Sequence, residues 1–476
     1  MTNQLRHSVR AYIMNTISTV RSTSCRVWVV AVRTRFHLRL LRMTLAKVII
    51  LGLASPFASI AVSAPSTNAA SEIKGKLLII GGALRYDNKQ VWQRFIDEAG
   101  GANAEIAVIP TASGNPSKVG QLVIDNIKAY GAKAFLVPLS EKLLDENGKS
   151  QTQQLTRAAD WVERIKKSQG IYFTGGDQNR ITRALYQADG KATPLLEAIW
   201  DMYSRGGIIA GTSAGAAIMS ETMFANAGSV LKTLQQGTQR GRDFDRGLGF
   251  IGPGVLVDQH LIIRGRFARM LPVMQTESIP LGLGIDENTA MLIQQQREME
   301  VIGYKGAIVL EMPIPLNQAR SIPFSARDVR IHYLTHGDKL DFVSKQIRPS
   351  SDKERLVEAQ SEEADQQMEV TSNILANTAV VDLMTQLVES PAKEMLGLAF
   401  DASHAASTHA LPQASTKLHS DIGFTFRFRK TPESRAYYSS KTGMEAYTII
   451  GLKLDVMPIQ MQRTIFKNKI KPRTKK

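Results

Sequence analysis

From residue 73 to about residue 303, short apolar runs alternate with longer stretches in which apolar residues recur at helical spacing. That is the pattern of a parallel sheet whose strands are buried on both faces by helices. Residues 76–80, 105–109 and 134–137 read as strands; Gly81-Gly82 follows the first, Pro110-Thr111 closes the second and Pro138 the third. Residues 91–99 and 119–130 read as helices, with Gly131 where a left-handed glycine commonly ends one. Two further strand-like runs, 171–173 and 207–210, lead into Gly175-Gly176-Asp177-Gln178 and Gly211-Thr212-Ser213-Ala214-Gly215. The expected fold class is α/β, a doubly wound, mostly parallel single sheet flanked by helices. Ligands in such folds bind beyond the carboxyl ends of the strands, where these glycine-bearing loops begin.

Past residue 303 the pattern changes. Residues 307–311 and 329–334 look like strands, and 351–368 is rich in Glu, Gln and Asp. With the stretch to Leu387, that acidic segment is expected as exposed helix or linker. Residues 402–417, rich in Ala, Ser, Thr and His, read as a loop, and the alternating runs 423–428 and 446–457 as strands of a β extension. The expected organisation is a leader over 1–64, an α/β domain over 73–345, a helical or linker segment over 346–420, and a β-rich extension with a basic tail over 421–476.

Composition is ordinary globular usage, 43% hydrophobic and 21% charged, which excludes collagen-like, fully disordered and multi-span membrane chains. The formal charge of +16 would point to an anionic partner if it were spread over the body. It is not. Nine Lys and Arg residues precede residue 48 and seven follow residue 460, with no acid in either stretch, and together they account for the whole excess. Residues 48–460 are net neutral, so no nucleic-acid partner is expected. The Arg-rich start, the apolar stretch 48–62 broken by Pro56, and the exit Val62-Ser63-Ala64 fit a signal peptide with translation from Met43 and cleavage near Ala64. An uncleaved anchor is the alternative; after processing no membrane span is expected, and the location is secreted or periplasmic. Cys25, the only cysteine, lies in this leader, so a processed chain would have neither a disulfide nor a cysteine nucleophile.

Gly211-Thr212-Ser213-Ala214-Gly215 has the form of a nucleophile elbow, in which small neighbours relieve a sharp strand-to-helix turn. A tight structural turn is the bland alternative. A serine hydroxyl needs a base, and His260, after the run 255–257, is the only histidine between residues 73 and 303, where the α/β alternation runs. Another run, 281–285, ends in Asp286-Glu287-Asn288, which offers a carboxylate to orient the imidazole. The order Ser, His, Glu differs from the Ser, acid, His order of α/β-hydrolases. Gly81-Gly82 and Gly100-Gly101 lack dinucleotide-loop spacing. His332 and His336 lie on a strand-like run without a third ligand, so neither metal nor cofactor is expected.

The blocks 175–178, 211–216, Asp258-Gln259-His260 with Arg264, Arg266 and Arg269, and 284–290 resemble, in this order, the cyanophycinase family of serine peptidases, family S51. Its fold is similar to that of class I glutamine amidotransferases. The resemblance spans residues 75–303. It implies a triad of Ser213, His260 and Glu287 and a substrate pocket involving Gln178, Asp258, Gln259, Arg264, Arg266 and Arg269. It also implies the substrate cyanophycin, a polyaspartate bearing arginine on each β-carboxyl, cut to β-aspartyl-arginine dipeptides. The amide of Ala214 and one from Gly175 or Gly176 would then face the oxyanion. Guanidinium groups suit carboxylates, and Asp258 suits a substrate arginine; a solvated basic helix face is the alternative for the three arginines. The leader and the long C-terminal part depart from an intracellular reserve-mobilising enzyme and favour an exported one. A peptidase of short aspartyl peptides and a non-catalytic binding protein of the same fold stay open, and a homodimer is expected only as the commonest soluble assembly.

Overall fold

The computed structural model describes residues 73–313, 321–357, 369–401, 422–441 and 445–460. The expected leader with Met43, Cys25 and its cleavage site, the loop 402–417 and the basic tail lie outside these residues.

The described residues build two large sheets and one small one. The first runs, in spatial order, β15 (Ile347–Arg348), β14 (Lys339–Asp341), β11 (Glu298–Gly303), β10 (Thr289–Gln294), β1 (Lys76–Ile80), β5 (Ile208–Thr212), β4 (Gly170–Phe173), β2 (Glu105–Ile109) and β3 (Lys133–Leu136). β1 to β5 are mutually parallel, and β10, β11, β14 and β15 add antiparallel to the β1 side. The second runs β17 (Val370–Thr371), β18 (Glu394–Ala399), β19 (Ile422–Arg429), β21 (Ala446–Gln460), β13 (Ala326–Leu334), β12 (Ala307–Glu311), β9 (Leu281–Ile285) and β8 (Val255–Gln259), with β20 (Arg435–Ser439) on β21 and β16 (Glu354–Arg355) on β20. A small hairpin pairs β6 (Thr222–Phe224) with β7 (Phe244–Arg246).

The α/β class follows from burial on both faces. In β1, Leu77 and Ile79 enter one apolar core while Leu78 and Ile80 enter another, under Val91, Trp92, Phe95 and Ile96 of the helix Lys89–Ala99. Each such side chain contributes about 1.5–3 kcal/mol when fully buried, which is why the strand reads as an unbroken apolar run. The first core also contains Val255, Val257, Leu283 and Ile285, so it joins the two sheets. A third core lies under the helices Phe267–Glu277 and Ala379–Glu389.

Two expectations need correction. The strands expected to form one sheet are divided between two, because β8 pairs with β9, and β9 with β12, rather than either with β5. The end of the stretch up to Leu387 is not exposed: the helix Ala379–Glu389 buries Val380, Leu383, Met384 and Leu387. The segment past residue 345 supplies strands to the second sheet, where β21 pairs along β13.

Candidate active site

β5 ends at Thr212, and the chain enters the helix Ala214–Ala217 through Ser213, whose φ of 54° lies in the left-handed region. The turn is tight enough that a β-carbon on Gly211 would stand 2.1 Å from the Gly215 carbonyl oxygen. Such a backbone costs about 1–3 kcal/mol and persists only where its surroundings hold it.

His260 follows β8 and Glu287 follows the parallel neighbour β9, both in the second sheet. Their side chains meet Ser213 across the sheet boundary. Ser213 Oγ lies 2.8 Å from His260 Nε2, and His260 Nδ1 lies 2.6 Å from Glu287 Oε1. A carboxylate can only accept, so Nδ1 carries the proton and Nε2 is left to accept from the serine hydroxyl. Burial holds the imidazole below the ordinary histidine value; the hydrogen bond to Glu287 opposes this, and the positive charge of Arg264, then of Arg266, adds to the lowering. At neutral pH His260 is therefore a neutral base.

Gly175 and Gly176 follow β4, beside β5. Gly175 stands against the serine: a β-carbon there would be 3.3 Å from Ser213 Cβ. The N–H groups of Gly175, Gly176 and Ala214 have no hydrogen-bond acceptor among the described residues.

The six residues expected in a pocket divide into different environments. Arg264 is exposed, with no ion pair among the described residues. Arg266 Nη1 donates to the Gln259 carbonyl oxygen at 2.9 Å and to Gln259 Oε1 at 2.8 Å. Burial and the like charge of Arg269 push its guanidinium down to about 10. Asp258 and Arg269, by contrast, are buried and bound to each other, and Arg269 also covers the Phe224 ring at 4.1 Å. Their charges neutralise one another, so neither presents a free charge to a ligand. Gln178 Nε2 donates to the carbonyl oxygens of Phe224 and Ala225, at 2.6 and 3.2 Å. Phe224 thus links Gln178 to Arg269, a role that the spacing of an apolar run gives no means of reading. His332 and His336 are engaged separately: Gly451 N–H donates to His332 Nδ1 and Gly303 N–H to His336 Nδ1.

The model of peptidase family S51 matches residues 77–301. The cyanophycinase of Geminocystis herdmanii is 35% identical over 278 residues, which cover 56% of this chain and 93% of that protein. That of Trichormus variabilis is 30% identical over 288 residues, covering 58% and 89%. The crystal structure of a peptidase from an acI-B1 Actinobacterium aligns with a TM-score of 0.41 at 21% identity, covering 57% of this chain and 98% of that one. With nearly the full length of a 35%-identical relative matched, the chain belongs to peptidase family S51 and is a serine-type peptidase similar to the cyanophycinases.

Proposed function

We propose that this peptidase hydrolyses cyanophycin to β-aspartyl-arginine dipeptides through an acyl-enzyme on Ser213. The observation that carries the reading is the unbroken line Ser213 Oγ, His260, Glu287, with separations of 2.8 and 2.6 Å, in a chain similar to cyanophycinases over most of their length. Ser213 Oγ attacks the backbone carbonyl carbon of an aspartyl residue while its proton passes to His260 Nε2. Glu287 stabilises the imidazolium. The tetrahedral oxyanion takes N–H bonds from Ala214 and from Gly175 or Gly176, of which Gly175 stands nearer the serine side chain. Nε2–H then protonates the departing amine, and the C–N bond breaks. In the second half, water gives a proton to Nε2 as it attacks the acyl carbon, and the proton returns to Ser213 Oγ as that bond breaks.

Arg264 and Arg266 are the pocket arginines whose charge is not cancelled by a carboxylate partner, and they suit a substrate carboxylate. The arrangement of β1 to β5 with the serine at the end of β5 is consistent with a glutamine-amidotransferase-like core. Export through the N-terminal leader belongs to the same reading and would give the enzyme access to polymer outside the cell.

The test is incubation of the purified protein with cyanophycin, with dipeptide detected by mass spectrometry, beside Ser213→Ala. Dipeptide from the unmutated protein alone is expected. Equal release from both would remove Ser213 from the mechanism. Cleavage of short aspartyl peptides but not of polymer would reassign the substrate, and cleavage of neither would favour a binding protein.

A further inference from the structure

The proposed relay joins side chains from two sheets, so something must fix the distance between those sheets to a few tenths of an ångström. One turn does so. β1 is an inner strand, paired with β10 on one side and β5 on the other. The three successive carbonyls at its end, those of Ile80, Gly81 and Gly82, accept the backbone N–H groups of Ser213 at 3.0 Å, His260 at 2.8 Å and Asn288 at 2.9 Å. The Gly81 N–H donates in turn to the Thr289 carbonyl oxygen at 3.0 Å. All three donors have left-handed backbones, with φ of 54° at Ser213, 50° at His260 and 56° at Asn288. Three strained residues, each just past the end of a different strand, therefore hang from one short piece of chain.

The same turn also shapes the imidazole's seat. Gly82 has φ +111°, and a β-carbon there would lie 2.3 Å from His260 Cε1 and 2.5 Å from Nε2, far inside contact distance. A β-carbon on Gly81 would lie 2.0 Å from the Asp286 carbonyl oxygen. On the outer side, Asn288 Oδ1 accepts from Asn88 Nδ2 at 2.9 Å and from the Arg85 N–H at 3.1 Å, which ties the loop carrying Glu287 to the start of the helix Lys89–Ala99. Asparagine tolerates the left-handed region better than most residues, so Asn288 suits its place in both backbone and side chain.

We infer that the Gly81-Gly82 turn, braced by Asn288, is the positioning element of the catalytic site, holding the Ser213, His260 and Glu287 relay in register across the two sheets. Residues 81, 82 and 288 act through the triad and need not touch substrate. The inference rests on the triad reading given above.

Its test compares the full-length chain with Gly82→Ala, Asn288→Ala, Ser213→Ala and Gly100→Ala. Gly100 is the control for backbone strain alone, since its φ of +113° matches that of Gly82 while a β-carbon there meets nothing within 4 Å. Two quantities are read: kcat and KM on cyanophycin, and the protonation midpoint of His260 by NMR on histidine-labelled protein. Gly82→Ala is expected to lower kcat about 100-fold with KM within about threefold, the loss that follows a misplacement of roughly 1 Å, and to shift the His260 midpoint. Asn288→Ala keeps every backbone bond of the turn; about a tenfold fall in kcat with a shifted midpoint is expected, and it decides the matter if Gly82→Ala does not fold. Gly100→Ala should leave both quantities unchanged. Gly82→Ala or Asn288→Ala with kcat within about threefold of the unmutated enzyme and an unmoved midpoint overturns the inference. Activity surviving Ser213→Ala overturns the triad reading instead. If the unmutated protein does not cleave cyanophycin, the substrate assignment fails and the His260 midpoints alone decide for or against the turn.

Discussion

Arg269 and Asp258 face one another through two hydrogen bonds of 2.7 Å, Nε to Oδ2 and Nη2 to Oδ1, in a place where both side chains are almost wholly shielded from water. The pair bridges the end of β8 and the helix Phe267–Glu277, and so braces the turn between them, which carries His260, Arg264 and Arg266. Arg269→Met would leave a buried carboxylate whose remaining partner is the Gln259 N–H. Breaking a buried pair from one side costs about 3–5 kcal/mol, so a clear fall in thermal midpoint is expected. Asp258→Asn combined with Arg269→Met should lose less than the two single losses added together, since neither charge is then stranded. Additive losses in a double-mutant cycle would show that the pair is not a unit.

The state of His260 sets the acid side of the pH–rate profile. Its folded pKa is lowered, chiefly by burial, so the neutral, proton-accepting form persists below the ordinary histidine value near 6.5 and activity should fall only as pH drops through that lowered value. Glu287→Gln removes the charge that supports the imidazolium. The acid limb should then move to still lower pH, and kcat should fall by about a thousandfold or more. A profile of kcat/KM against pH for both proteins checks this, and a limb above the ordinary value would contradict the burial of the ring.

The three triad residues were legible in the sequence because each stands just beyond a strand-like run, and strand ends are where backbone geometry leaves side chains free for chemistry. What periodicity could not give was the sheet to which each strand belongs: burial on both faces looks alike whether the neighbour is β5 or β12. The Asp258–Arg269 pair was hidden for a related reason, since a carboxylate and a guanidinium eleven positions apart show no local sign that a turn brings them together. Gly81-Gly82 carried the same signal as the other sites, glycines directly after a strand, but its partners lie at 213, 260 and 288. In the helix Ala379–Glu389 the apolar positions 380, 383, 384 and 387 do follow helical spacing, but the acidic stretch before them is the stronger local signal and points toward solvent.

Gly265 joins the arginine-bearing turn to the C-terminal half of the chain. Its φ is +57°, and a β-carbon there would stand 2.3 Å from the Leu375 carbonyl oxygen. Gly265→Ala should therefore displace the turn between Arg264 and Arg266. If those arginines hold substrate carboxylates, KM for cyanophycin should rise severalfold while kcat changes less, the opposite split from that expected at Gly82. Steady-state kinetics distinguish the two, and an unchanged KM would remove Arg264 and Arg266 from substrate binding.

The C-terminal strands should matter to catalysis although no catalytic side chain lies on them. Leu454 in β21 is fully buried, opposite Val329 of β13 on one side and Phe428 of β19 on the other. Through β13, β12 and β9 the same sheet reaches β8, so the strands that deliver His260 and Glu287 are held by neighbours from past residue 345. Leu454→Ala leaves a cavity in that sheet's core and should cost about 2–5 kcal/mol, read as a lowered denaturation midpoint, while activity well below that midpoint stays near normal. A chain ended at residue 345 loses β18, β19 and β21 together and uncovers the apolar face formed by Val329, Ile331 and Ile308. It should lose activity even though Ser213 and the whole first sheet up to β14 are retained, because the imidazole would no longer be held against the serine. A shortened chain that unfolds cooperatively and cleaves cyanophycin at the full rate would show that the second sheet stands without its C-terminal strands.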